Sequence, residues 1–389
     1  MNEPKIRFKG FQGEWENPTI ANTFEIRNGY TPSKAIKAFW DGGTIPWFRM
    51  EDIRENGGIL KDAIQHITPL GVKGDGLFET NSIILATTAT IGVHAMLIAG
   101  SLANQRFTNF SIRKSLKDIY NPMFVYYSFF GIDEWCKKNT NSGGLLAVNI
   151  PYLLKQSFHT PILPEQQSIA SYFQHLDNLI QSTTKKIESL KQVKAASLQS
   201  MFPQEGETTP RVRFKGFEGK WEECLLKDKV NNITTGKLDA NAMVPNGKYR
   251  FYTCGKEYFK IDKYAFDDEA LIISGNGENV GYIHYYNGKF NAYQRTYVLT
   301  SFTLNVFYLE HYLKARLSIR INKEKSVANT PYIKMDTISD MNVLYPNDIA
   351  EQRAIASFFT NLDRQITLQS QRLEKLKQIK AACLDKMFV

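Results

Sequence analysis

The chain has 389 residues, 43% of them hydrophobic, 13% aromatic and 22% charged. That content is apolar enough to bury cores in two or three domains, and it excludes wholesale disorder. A formal net charge of +9 is compatible with a nucleic-acid partner, but the excess is spread along the chain without a polybasic run. The longest apolar stretches, residues 82–90 and 270–274, are too short for a bilayer-spanning helix. The opening Met-Asn-Glu-Pro-Lys has no leader character. Cys136, Cys224, Cys254 and Cys383 form no CxxC pair, which argues against a disulfide scaffold and a zinc ribbon. A cytoplasmic, globular protein without a membrane role is expected.

In chain order, residues 6–16 read IRFKGFQGEWE, with Phe8, Phe11 and Trp15 as aromatic plugs between a globule and its support. A Gly29-Tyr30-Thr31-Pro32-Ser33-Lys34 loop follows, then the alternating stretch 45–50 and a β-rich run over 82–86. Residues 124–138 read as helix. Residues 165–202 place Ile169, Phe173, Leu176, Ile180, Ile187 and Leu190 at 3–4 spacing, which predicts one long helix with a single apolar stripe. At about 1.5 Å per residue it would be roughly 55 Å long.

After the polar, Pro-flanked stretch 203–210, the opening motif returns as VRFKGFEGKWE over 212–222, 206 residues on (Arg7 to Arg213), with Phe214, Phe217 and Trp221 repeating the plugs. Strand-like runs follow over 270–274 and 281–286, and a helix over 304–320. The long-helix block returns over 351–388, 186 residues on (Glu165 to Glu351), with about half its positions identical and the stripe kept at Ile355, Phe359, Leu362, Ile366, Leu373 and Leu376. Ile91-Gly92 and Gln105-Arg106 match Val280-Gly281 and Gln294-Arg295. Asn149-Ile-Pro151-Tyr152 resembles Asn329-Thr-Pro331-Tyr332. The chain is thus two tandem copies with a near-constant frame and divergent fillings.

The expected fold class is α+β: two mixed α/β globules related by an internal pseudo-two-fold repeat and separated by two long antiparallel coiled-coil helices. Residues 1–163 form the first globule, 164–202 the first spacer helix, 203–210 a linker, 211–349 the second globule and 350–389 the second spacer helix. Thr183 and Gln369 lie at polar stripe positions suited to fixing register.

Catalytic chemistry was sought and not found. No Gly-Lys followed by Ser or Thr makes a P-loop. The glycines between Gly275 and Gly281 run into a β-like stretch, where a dinucleotide loop needs a helix. Asn149-Ile-Pro151-Tyr152 lacks the second-position proline of an adenine methyltransferase motif. Glu218-Gly219-Lys220 has no upstream Pro-Asp partner for metal-dependent cleavage, and the histidines lack ligand spacing. A constant frame presenting two loop-rich surfaces suits recognition of two targets at a fixed distance, and duplex DNA has that geometry.

The run Ile162-Leu163-Pro164-Glu165-Gln166-Gln167-Ser168-Ile169-Ala170 resembles the start of the first spacer helix in specificity subunits of type I restriction–modification enzymes, as does Glu351-Gln352-Arg353-Ala354-Ile355-Ala356. Asn347-Asp348-Ile349-Ala350 departs from the Leu-Pro lead-in, which would loosen the second helix start. The Gly29–Lys34 loop is similar to the opening of many target-recognition domains of that family. Gly236-Lys237-Leu238-Asp239 departs from it, which implies a second domain of another subclass. The resemblance covers essentially the whole chain. It implies a non-catalytic reader of double-stranded DNA whose two domains each read half of an asymmetric bipartite site, the helices setting the gap. No cofactor would bind this chain. Two modification subunits carrying S-adenosylmethionine would methylate adenine N6, and two restriction subunits using ATP and Mg could join them. A coiled-coil scaffold with two protein-binding globules is the alternative.

Candidate DNA contacts in the first copy are Thr31, Ser33 and Lys34, then Arg49 beside a core Trp47, then Thr87, Thr88 and Thr90. In the second they are Lys237, Asn241, Tyr252, Lys256, Asn276 and Asn279, with Tyr258 and Phe259 read as packing. Gln105-Arg106 and Gln294-Arg295, common to both copies, suit phosphate anchoring or a frame hydrogen bond better than base reading. The helix residues Lys185, Lys186, Lys375, Lys377 and Lys380 belong to a solvated face or to subunit docking.

Overall fold

The computed structural model of the chain describes residues 3–141, 146–324 and 332–388. It falls into two compact units. One comprises residues 1–183 together with 372–389, the other residues 184–371.

In the first unit a short helix α1 (Ile20–Thr23) leads into β1 (Phe24–Asn28). Then come β2 (Ile45–Phe48), α2 (Met50–Asn56), β3 (Ile59–Leu60), β4 (His66–Ile67), β5 (Ser82–Ala86), β6 (His94–Leu97), β7 (Leu102–Ala103) and β8 (Phe107–Ile112). Helices α3 (Pro122–Lys138), α4 (Ile150–Leu153) and the part of α5 (Leu163–Ser200) up to residue 183 complete the series, the rest of α5 belonging to the second unit. One sheet has the order β1-β8-β5-β6-β3, and a small one the order β4-β2-β7.

The apolar run 82–86 becomes a strand buried on both faces, as its lack of alternation requires. Ile83 and Leu85 face α3, while Ile84 and Ala86 face a second cluster with Trp47, Phe48 and Phe107. Helix α3 starts where Pro122 needs no N–H partner and where the Asn121 side chain accepts the Phe124 N–H at 3.0 Å.

The second unit contains β9 (Glu222–Leu225), β10 (Val230–Thr235), β11 (Tyr249–Tyr252), β12 (Tyr258–Ile261), β13 (Phe266–Ser274), β14 (Ile283–Ala292) and β15 (Thr296–Phe302). These are followed by α6 (Val306–Glu324), α7 (Met335–Ser339), β16 (Asn342–Tyr345) and the first part of α8 (Ile349–Met387). Its main sheet has the order β10-β15-β13-β14-β11-β12, and β16 pairs with β9. Strand β13 repeats the two-faced burial of β5: Leu271 and Ile273 lie with the α6 core, Ala270 and Ile272 in a smaller cluster with Tyr252 and Phe290.

One expectation changes. The start of α8 is not loosened by the missing Leu-Pro, because Asp348 caps it and accepts the Ala350 N–H at 2.7 Å. The Asn149 motif is a helix cap, its side chain accepting the Tyr152 N–H at 3.1 Å. Its supposed counterparts Asn329 and Pro331 lie outside the described residues. The equivalent backbone roles fall instead to Val148 and Ile333, whose N–H groups donate to the Thr87 and Gly275 carbonyls, each at 2.9 Å.

Candidate nucleic-acid interface

The repeated motifs make the frame of each unit. Arg7 donates from Nε and Nη2 to the two oxygens of Glu165, both at 2.7 Å, and Arg213 does the same to Glu351. Each glutamate is only 1% exposed. The remaining guanidinium donors hold the carbonyls of Gln12 and Gly13, or of Glu218 and Gly219, so the arginine also shapes the loop it stands in. The adjoining glutamine ties the long helix to the globule. Gln166 accepts the Asn121 N–H and donates to Ile119 and Pro161 carbonyls; Gln352 accepts the Asn305 N–H and donates to the Pro346 carbonyl.

The helix-end phenylalanines plug the same place in each unit. Phe388 lies 5.6 Å from Phe124, 5.8 Å from Phe173 and 6.5 Å from Trp15. Phe202 lies 5.7 Å from Tyr308, 5.6 Å from Phe359 and 6.4 Å from Trp221. The Ile6 N–H donates to the Lys386 carbonyl and the Val212 N–H to the Ser200 carbonyl, each at 2.9 Å.

Within each unit the two long helices run antiparallel. In the first, Asp177 takes Lys380 at 2.5 Å and the Tyr127 hydroxyl at 2.9 Å, while Phe173 meets Phe388. In the second, Lys194 pairs with Asp363. Thr183 is buried. Of the lysines considered for docking, Lys185, Lys186, Lys375 and Lys377 are exposed, whereas Lys380 is committed to Asp177 and lies over the Tyr127 and Phe130 rings.

Beyond the frame, both units build the same loop cluster from different residues. Gln105 and Arg106 lie in the tight turn between β7 and β8, closed by the Phe107 N–H to the Asn104 carbonyl; the Asn104 side chain accepts the Arg106 N–H at 3.0 Å. Gln294 and Arg295 lie in the turn between β14 and β15, closed by the Thr296 N–H to the Tyr293 carbonyl. The loop after β5, or after β13 in the second unit, clasps the turn, the Thr87 N–H donating to the Arg106 carbonyl and the Gly275 N–H to the Arg295 carbonyl.

The loop after β1, and that after β10 in the second unit, presses on the same turn through a glycine. A Cβ on Gly29 would overlap the Ala103 and Asn104 carbonyls, and one on Gly236 those of Ala292 and Tyr293. Close backbone approach therefore fixes both glycines. Two loops thus converge on each Gln-Arg turn, and both guanidiniums are exposed with no hydrogen bond or ion pair among the described residues. Such unpartnered cations are suited to anionic oxygens or base edges.

The other candidates sort by exposure. Ser33, Lys34, Lys237, Asn241 and Lys256 are exposed, and Thr31 donates to the Gln105 side chain at 2.5 Å. Thr88, Thr90, Asn276 and Asn279 are half-buried on the clasping loops. Thr87 is buried and bonded to Thr108 at 3.0 Å. Arg49 is half-buried at the start of α2, and Trp47 is in the core. Tyr252 is 1% exposed, and its burial pushes its hydroxyl pKa upward, so no face of it is open to a ligand. Tyr258 and Phe259, read as packing, are 40% and 42% exposed because β12 is the edge of its sheet.

Sequence reasoning missed Arg250, whose guanidinium lies over the Tyr258 and Tyr286 rings at 4.4 and 4.3 Å. The available signal was the alternation of basic and aromatic residues in β11 and β12. Among the described residues no group of three His, Cys, Asp or Glu could hold a metal ion, and no helix is long and apolar enough to cross a membrane.

Residues 12–192 and 218–378 match the family model described as the type I restriction modification DNA specificity domain. The chain is 29% identical over 383 residues to the type I restriction enzyme EcoprrI specificity subunit of Escherichia coli, covering 96% of this chain and 92% of that one. Over 159 residues it is 37% identical to the EcoDI specificity subunit of Escherichia coli, covering 41% of this chain and 35% of that one. The fold is shared with the crystallised type I restriction–modification S subunit from M. genitalium, at TM-score 0.65 and 17% identity over 100% of this chain and 99% of that one.

Proposed function

Because the chain belongs to the family of type I restriction–modification DNA specificity domains, we propose that it is the DNA-reading component of such a complex, with each unit recognising one half of a bipartite site. The observation that carries this reading is the doubled frame. The same Arg–Glu grip, glutamine tie and phenylalanine plug hold two differently filled loop clusters, each around a Gln-Arg turn whose guanidinium is exposed and unpartnered among the described residues. A turn kept in both units suits the element common to any duplex, the phosphate backbone. The divergent loops suit the base edges, which differ between half-sites.

The long helices set the gap between half-sites. Two modification subunits supply S-adenosylmethionine and methylate adenine N6 after the base leaves the stack, so this chain contributes position and not chemistry. Two restriction subunits using ATP and Mg join when cleavage is required, and the complex works in the cytoplasm.

Methylome sequencing of a host expressing the chain with a modification subunit tests this. One bipartite motif with a fixed gap is expected, lost when the chain is deleted. Exchanging residues 17–160 for those of a relative should change one half of that motif; a change in both halves refutes the assignment of one half to each unit.

A further inference from the structure

Arg250 differs from most half-buried arginines of the chain; Arg49 also lacks full hydrogen bonding, but it lies 3.9 Å from the Glu51 carboxylate. Arg7, Arg27, Arg213 and Arg316 each commit at least two N–H groups to carboxylates or carbonyls. Arg250 commits one, to the Tyr252 hydroxyl at 3.2 Å, and has no ion pair among the described residues. What else holds it is cation–π contact with the Tyr258 and Tyr286 rings. Cation–π contact consumes no N–H group, so four of the five guanidinium N–H groups have no hydrogen-bond partner among the described residues. Arg250 is itself half-buried, and its neighbour Tyr258 is 40% exposed.

The strand carrying it is tied to the loop cluster. Arg250 pairs in register with Phe290 of β14, the strand that runs into the Gln294-Arg295 turn. The Tyr293 N–H donates to the Tyr252 carbonyl at 2.9 Å, and the Cys254 thiol to the Arg295 carbonyl at 3.3 Å. Across the hairpin Arg250 faces Lys260. A guanidinium with four unpartnered N–H groups, on a strand tied to the one that runs into an exposed cationic turn, has the chemistry that reads guanine, whose O6 and N7 accept two parallel N–H bonds.

We propose that Arg250 is a specificity-determining residue that reads a guanine in the half-site of the second unit. This rests on the reading of the chain as a DNA specificity subunit. The first unit offers no equivalent, since the strand in the matching place, β2, carries Pro46 and the buried Trp47 and Phe48.

The test uses the chain assembled with a modification subunit. Arg250→Lys keeps the charge and loses the fork. In the methylome it should turn one guanine position of one half-site degenerate, leaving the other half-site and the gap unchanged, which also reports that the variant folds. In titrations of the wild-type complex with labelled duplex, 7-deazaguanine at that position should weaken binding about tenfold to a hundredfold, and the variant should be indifferent to the replacement. An unchanged motif in the variant, additive losses from the two changes, or a half-site with no guanine sensitive to loss of N7 would each overturn the assignment. A wild-type complex that yields no bipartite motif condemns the functional reading instead.

Discussion

Removing Arg213 is the sharpest test of how the frame is held. The Glu351 carboxylate is 1% exposed, and its two oxygens receive both of their charged hydrogen bonds from Arg213 at 2.7 Å. Arg213→Ala leaves that carboxylate buried without its partner, and loss of one member of such a pair typically costs about 3–5 kcal/mol. The same change frees the Glu218 and Gly219 carbonyls, so the loop carrying Trp221 loosens as well. Glu351→Gln removes the buried charge while keeping an acceptor, and should cost about half as much. Equilibrium urea unfolding of both single variants and the double variant gives the coupling directly. The double variant should be less destabilised than the sum of the singles by about 2 kcal/mol or more. If Arg213→Ala costs under about 1 kcal/mol, or the two changes add, the pair is not the clasp described here. Arg7 and Glu165, with the same geometry, should give the same pattern.

Further expectations follow from other features. Arg106→Ala and Arg295→Ala should lower affinity for cognate and non-cognate duplexes alike, each reducing the slope of log K against log salt by about 0.9; relaxed reading at one base position would refute phosphate anchoring. Phe202→Ala, at a wholly buried plug, should cost about 3–5 kcal/mol in denaturant unfolding, against roughly 1–3 kcal/mol for the half-buried Phe388→Ala; the opposite order would refute equivalent plugs. Burial holds His311 down at about 3, so its imidazole is neutral in the folded chain. The unfolded chain protonates it below about 6.5, and stability should therefore fall as pH drops from 6.5 towards 3, by at most about 1.4 kcal/mol per pH unit. Between pH 7.5 and pH 5.0 the wild type should lose about 2 kcal/mol more than His311→Leu, and parallel pH profiles would refute this.

The frame was legible because it is written twice. The stripe from Ile169 to Leu190 and its copy from Ile355 to Leu376 announce long helices, and the apolar run at 82–86 announces a strand buried on both faces. The role of each repeated polar residue was not legible. Arg7 and Glu165 lie 158 positions apart, and only the fold shows one gripping the other. Exposure was the main failure in the loops. Tyr252 and Tyr258 are both tyrosines on one hairpin, but the first faces Phe290 and the sheet interior while the second stands on the edge strand. Strand order decides that difference, and strand order comes from non-local pairing that composition does not encode. Arg250 was passed over for the same reason, since its significance lies in Tyr286, supplied by a different strand.

The position of Phe388 has a consequence in time. The second unit is contiguous from residue 184 to 371, whereas the first needs residues 372–389 to be complete. During synthesis at about 5–20 residues per second, some 200 residues separate the end of the first globule from its plug, a wait of roughly 10–40 s. Through that interval Trp15, Phe124 and Phe173 lack their cover, while the unit that starts later on the ribosome has already closed. The unit begun first is therefore closed after the second, and a message cut short before the codons of residues 372–388 yields an open first globule.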